Sequence, residues 1–123
     1  EYLENKGYTI NDYGCFSEES VDYPDFAHQL AESIKKEKSE IGIQFCGTGN
    51  GINMSANKHS QIRAALCWNP HIAEQARLHN NANVLTMPAR HLEWNEVKEI
   101  IDVFLSSEFE GGRHQRRVNK ISI

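Results

Sequence analysis

Residues 41–51 read Ile41-Gly42-Ile43-Gln44-Phe45-Cys46-Gly47-Thr48-Gly49-Asn50-Gly51, and residues 52–58 continue as Ile-Asn-Met-Ser-Ala-Asn-Lys. The alternation of Ile41, Ile43 and Phe45 marks a short strand, and the three glycines that follow let the backbone turn sharply into a helix. Such a turn aims several backbone N–H groups and a helix N-terminus at one point, which suits an anion. Cys46 stands at the strand end, where the same field favours its thiolate. A cysteine in that position is ordinarily a small core hydrophobe. The adjacent glycine cradle shifts the balance, so the stretch predicts a base beside a site for an oxyanion.

Outward from this centre the chain alternates strands with helices. Upstream, Pro24 opens a helix in which Phe26, Ala27, Leu30, Ala31 and Ile34 recur at helical spacing, ending in the charged residues 35–40. Before it, residues 15–23 are polar and loop-like, and residues 8–12 read as a strand followed by a turn at Gly14. Residues 1–6 resemble the last turn of a helix capped by Gly7. With no initiator Met, they predict that a strand and most of a helix precede the given sequence. Downstream, residues 63–67 and 82–87 form strands, and Asn69-Pro70 starts a helix carrying Ile72, Ala73 and Ala76. Val97, Ile100, Ile101, Phe104 and Leu105 make the clearest amphipathic stripe. A last short helix is expected from about 113 to 120.

Strands alternating with helices imply right-handed crossovers and a parallel sheet covered on both faces. The expectation is one domain over residues 1–123, a doubly wound three-layer α/β/α (Rossmann-like) sheet apparently lacking its first strand. Ligands in such sheets bind beyond the carboxyl ends of the strands. Cys46, Asn69 and residues 86–90 all lie there.

Composition narrows the classes. A 123-residue chain of 39% hydrophobic and 24% charged residues is an ordinary globular domain. Its net charge of −4 argues against nucleic acid as a partner, although Arg113, Arg116, Arg117 and Lys120 form a local basic spot. Three widely spaced cysteines suit a reducing, cytoplasmic setting better than a disulfide framework. No apolar run approaches a membrane span. The glycine turn is not a dinucleotide fingerprint, since Ile52 stands where a third glycine is needed and no acidic residue follows at the required distance. Nor does it contain the Gly-Lys-Ser/Thr of a P-loop. The histidines show no metal-ligand spacing, and neither metal nor cofactor is expected.

Five separated blocks together resemble the ribose-5-phosphate isomerase B family, with its allose-6-phosphate and galactose-6-phosphate isomerase relatives. They are residues 46–51 (Cys-Gly-Thr-Gly-Asn-Gly), 55–58 (Ser-Ala-Asn-Lys), 62–67 (Ile-Arg-Ala-Ala-Leu-Cys), 79–84 (His-Asn-Asn-Ala-Asn-Val) and 109–117 (Phe-Glu-Gly-Gly-Arg-His-Gln-Arg-Arg). Residues 17–24 belong to the same pattern. The resemblance implies an aldose–ketose isomerase acting on a sugar phosphate, ribose 5-phosphate by default, as a homodimer or homotetramer whose site is shared across the interface. It implies Cys46 as the base, Thr48 as a hydrogen-bonding partner of the hydroxyls, and His79 as the ring opener. Asn80 would bind hydroxyls, Arg90, Arg113 and Arg117 the phosphate, and Gly47, Gly49, Asn50 and Gly51 the oxyanion and sugar. Read from the residues alone, Thr48 is equally a turn-stabilising hydroxyl, His79 a helix C-terminal residue, and the late arginines a solvated basic tail.

This chain departs from the family pattern in three places. The family's first strand ends in an Asp-His pair that has no counterpart here and is expected upstream. The loops after Cys67 and Met87 are unusual at Trp68 and Pro88, and Asn50 replaces an aliphatic residue. A hexose-6-phosphate isomerase and a non-catalytic sugar-phosphate-binding subunit therefore stand as alternatives.

Overall fold

A computed structural model describes residues 1–123. Three parallel strands, β1 (Gly42–Cys46), β2 (Ala64–Leu66) and β3 (Val84–Pro88), lie in the order β1-β3-β2. Gln44 pairs with Thr86, Cys46 with Pro88, and Leu66 with Thr86. All five residues of the central β3 are buried, as expected for a parallel strand covered on both faces. The side chains of Leu85 and Met87 join one core with helices α4 (Pro70–Asn80) and α5 (Trp94–Ser106). Val84 joins the other with α2 (Tyr23–Lys35) and α3 (Asn50–Ala56). The connection through α3 and the one through α4 thus lie on opposite faces, and the sheet is doubly wound, as predicted.

Local chemistry sets the element ends. Asn69 caps α4, its Oδ1 accepting from Ile72 N at 2.9 Å, with Pro70 in the first turn. Glu93 and Glu96 form a capping box at the start of α5. The first helix, α1 (Tyr2–Asn5), closes in a Schellman pattern, with Tyr8 N bonded to Leu3 O and Gly7 N to Glu4 O. Gly7 sits at φ +94°, so the expected cap is present. Tyr2 and Lys6 tie α1 to Asp102 on α5 at 2.8 and 2.9 Å. The final helix, α6, spans Arg113–Asn119. No helix is long and apolar enough to cross a membrane.

One expected element is absent. Residues 8–12 are irregular and exposed rather than a strand, so the chain has three strands and not the four predicted. A strand exists through its ladder, and β1 pairs only with β3. Tyr8 and Ile10 instead share a cleft of about 1160 Å³ with Leu30, Ile43, Phe45 and Cys46 along the open side of β1. Pattern alone cannot pair a segment that has no neighbour.

Candidate active site

The glycine turn leaves β1 at its carboxyl end. Gly49 is the N-cap of α3 at φ +82°, a left-handed conformation that costs an L-residue about 1–2 kcal/mol. A Cβ at Gly49 would also lie 2.4 Å from Leu66 Cδ1. Glycine here brings the turn down onto β2 and offers no side chain of its own at the N-cap of α3. Thr48 Oγ1 accepts from Asn50 N at 3.3 Å, so its hydroxyl stabilises the turn, as one of its two readings predicted. Thr48 and Asn50 are exposed and Cys46 is half-buried. Tyr23 packs its ring against Gly51.

Arg90 reaches the same place from β3. A single 3₁₀ turn, Ala89–His91, follows Pro88, and Arg90 N donates to Gly47 O at 3.1 Å. Its guanidinium lies over Gly47, where a Cβ would meet Arg90 Cζ at 3.0 Å. Cys46, Gly47, Thr48, Gly49, Asn50, Gly51 and Arg90 therefore form one cluster at the carboxyl edge of the sheet. Positive charge, a half-buried thiol and a helix start whose N-cap is a glycine meet there.

A buried polar network that sequence reasoning missed supports this cluster from below. Gln44 Nε2 donates to Thr86 Oγ1 at 2.8 Å and to Ile52 O at 3.3 Å, and Thr86 Oγ1 donates to Asn53 Oδ1 at 2.7 Å. It joins β1, β3 and α3. Gln44 Oε1 is buried with no partner. The one available signal was Gln44 standing inside an apolar strand.

The second group of candidates lies elsewhere. In this topology α4 leaves the carboxyl edge at Pro70 and returns to the amino edge before β3; its 11 residues span roughly 16 Å at about 1.5 Å each. His79 and Asn80 end that helix. Arg77 fixes the end by donating to Ala82 O at 2.6 Å and Ser107 O at 3.3 Å. Glu110 N donates to Leu78 O at 3.0 Å, which seats the turn before α6 on the same helix end. Gly111 and Gly112, at φ +71° and +55°, make that turn and release α6. Arg113 and Arg117 are exposed on α6, and neither forms a salt bridge within the chain. His79, Asn80, Arg113 and Arg117 thus gather at the opposite end of the sheet from Cys46.

Here His79 Nε2 lies 3.1 Å from Glu110 Oε1, and His114 Nε2 lies 3.7 Å from the same oxygen. The two rings stack with centroids 4.2 Å apart and planes 12° from parallel. Desolvation first, then His79 and Arg113, lower the pKa of His114. The donor atoms of His79, Glu110 and His114 lie within 4.8 Å of one another, the one grouping with the spacing of a metal site. A common ion would have to lie in both ring planes, and nearly parallel planes do not supply one. A contact between the Glu110 carboxylate and the two imidazoles fits these residues better. The separation of 31 positions between His79 and Glu110 hid the cluster from spacing rules.

The other cysteines differ from Cys46. Burial pushes the Cys67 thiol up to about 12, so it is inert at neutral pH. Cys15 is exposed, and all three are free.

Comparison with known proteins gives a consistent result. A family model described as Ribose/Galactose Isomerase matches residues 1–121. Ribose-5-phosphate isomerase B of Escherichia coli is 40% identical over 121 residues, 98% of this chain and 81% of that protein. A ribose 5-phosphate isomerase from Thermotoga maritima superposes with a TM-score of 0.96 at 49% identity, covering 98% of this chain and 83% of the other. The Mycoplasma genitalium ribose-5-phosphate isomerase B with bound ribulose-5-phosphate gives 0.93 at 43%, covering 98% and 80%. With its doubly wound sheet, its glycine turn and matches over nearly its whole length, the chain belongs to the ribose/galactose isomerase family.

Proposed function

We propose that this chain is an aldose–ketose isomerase that interconverts ribose 5-phosphate and ribulose 5-phosphate without a metal or cofactor. The observation that carries the reading is Cys46 at a strand end, followed by Gly47 with the guanidinium of Arg90 over it and by a helix whose N-cap is Gly49. In the open-chain aldose the Cys46 thiolate takes the C2 proton. The C–H electron pair moves into the C1–C2 bond as the carbonyl pair moves to O1, giving an enediolate. The thiol returns the proton to C1 while the O2 proton passes to O1. Backbone N–H groups around Gly47, Gly49 and Gly51 face the developing oxyanion, and Thr48 and Asn50 border the sugar.

The other half of the site comes from a second copy. His79 would open the ring, Asn80 would bind hydroxyls, and Arg113 and Arg117 would bind the phosphate alongside Arg90. Their place at the opposite edge of the sheet supports a symmetric homodimer, or a homotetramer built from it, since one chain cannot close the site alone. Exposed Phe45, Met54 and Trp68 near the glycine turn supply apolar surface for that contact. The open side of β1 supports a further strand there, carrying the expected Asp-His pair to the Cys46 end. Three free cysteines suit a cytoplasmic setting.

Ketose formation from ribose 5-phosphate tests the reading, with allose 6-phosphate and galactose 6-phosphate in parallel. Turnover of the pentose is expected. Turnover of a hexose alone moves specificity to the loops at Trp68 and Pro88. Silence on all three sugars contradicts the reading and leaves a binding subunit.

A further inference from the structure

The turn between α5 and α6 holds a carboxylate that the chemistry above does not use. Glu110 Oε1 is 3.1 Å from His79 Nε2, and the Glu110 backbone is bonded to Leu78 O. Both side chains are therefore fixed to the same turn of α4. The ring of His114 lies flat against that of His79 and limits its swing. At 3.7 Å the His114 nitrogen lies farther from the same oxygen, so His79 is the imidazole nearer the carboxylate. An ionised carboxylate only accepts hydrogen bonds. A carboxylate 3.1 Å from Nε2 favours the proton of neutral His79 on that nitrogen, which leaves the lone pair on Nδ1.

Resting on the isomerase reading, in which His79 opens the sugar ring, we infer that Glu110 is a positioning residue for that step. It holds His79 in the Nε2–H tautomer and stabilises the imidazolium formed when Nδ1 accepts a proton. In the step itself, the proton of the anomeric hydroxyl moves to Nδ1. The O1 electron pair forms the C1=O1 carbonyl as the C1–O4 bond breaks with its pair on O4, and His79 returns the proton to O4. The arrangement has the logic of a carboxylate orienting a catalytic imidazole, applied here to ring opening and not to the carbon acid. Glu110 is half-exposed, so its replacement leaves the core intact.

The test separates ring opening from enolisation. Ribose 5-phosphate reaches the enzyme chiefly as a ring, whereas ribulose 5-phosphate cannot form a five-membered ring because its O5 carries the phosphate. Initial rates of isomerisation from each sugar would be measured for the wild type, E110A and E110Q. For E110A, the rate from ribose 5-phosphate should fall about 10²-fold, the scale of a general acid–base contribution. The rate from ribulose 5-phosphate should stay within about threefold, because the open-chain product can leave without closing. E110Q keeps an acceptor but loses the charge, and should fall between wild type and E110A. Equal losses from both sugars, or no loss from ribose 5-phosphate, overturn the inference. A wild-type chain inactive on both sugars instead defeats the isomerase reading, and the inference with it.

Discussion

Gly49 carries the site at the scale of a single residue. Its backbone is left-handed, and a methyl group added there would run into Leu66. Gly49→Ala should therefore lower the unfolding free energy in urea by at least about 1–2 kcal/mol. It should also cut isomerase activity more than the stability loss explains, because the start of α3 must move. Wild-type stability in this variant would show that the turn is looser than drawn. Glycine spacing made this position readable from sequence, since only a special backbone needs three glycines in five residues. The residues beneath it were not readable. Thr86 looked like one more strand residue, and only the register of β1 on β3 places its hydroxyl between Gln44 and Asn53.

Among the elements, the docking of α2 on α3 has a titratable joint. His28 Nδ1 and His59 Nε2 are 2.7 Å apart, so one ring must donate and the other accept, and both cannot be protonated there. Glu32 and Lys35 of α2 also face His59. Desolvation first, then His28 and Lys35, hold the His59 pKa below its ordinary 6.5, against the opposing pull of Glu32. A native pKa below the unfolded one means that the unfolded chain binds more protons as pH falls. The contribution is complete above about pH 6.5 and is lost as the pH drops through the native value. Melting temperature should fall between pH 7 and 5, and His59→Gln should flatten that fall, with His114 supplying part of the remainder. An unchanged slope in the variant would show that the pair is not coupled to folding. Spacing along the chain showed no cluster among the histidines, because this contact is tertiary and leaves no periodic trace. The same limit explains residues 8–12, where β-prone composition met no partner strand. The start of α4 at Asn69-Pro70 and the apolar stripe of α5 were readable, because a cap and a helical period leave local traces in the sequence.

For the whole molecule, the candidate residues divide into two sets at opposite edges of one sheet. The family resemblance implied a shared site, but which residues stand at which edge follows from α4 running antiparallel to the strands. A site assembled from both sets needs two chains related by symmetry. In the proposed twofold dimer, each site would take Cys46 and Arg90 from one copy and His79, Arg113 and Arg117 from the other.

The most direct test is complementation between two inactive chains, C46S and R113A/R117A, unfolded together and refolded as a mixture. Random pairing makes half the dimers mixed, and each mixed dimer holds one intact site and one doubly broken one. The account predicts ketose formation from ribose 5-phosphate at about a quarter of the wild-type rate, from chains that are inactive alone. A mixture no more active than its components would contradict a site shared between copies.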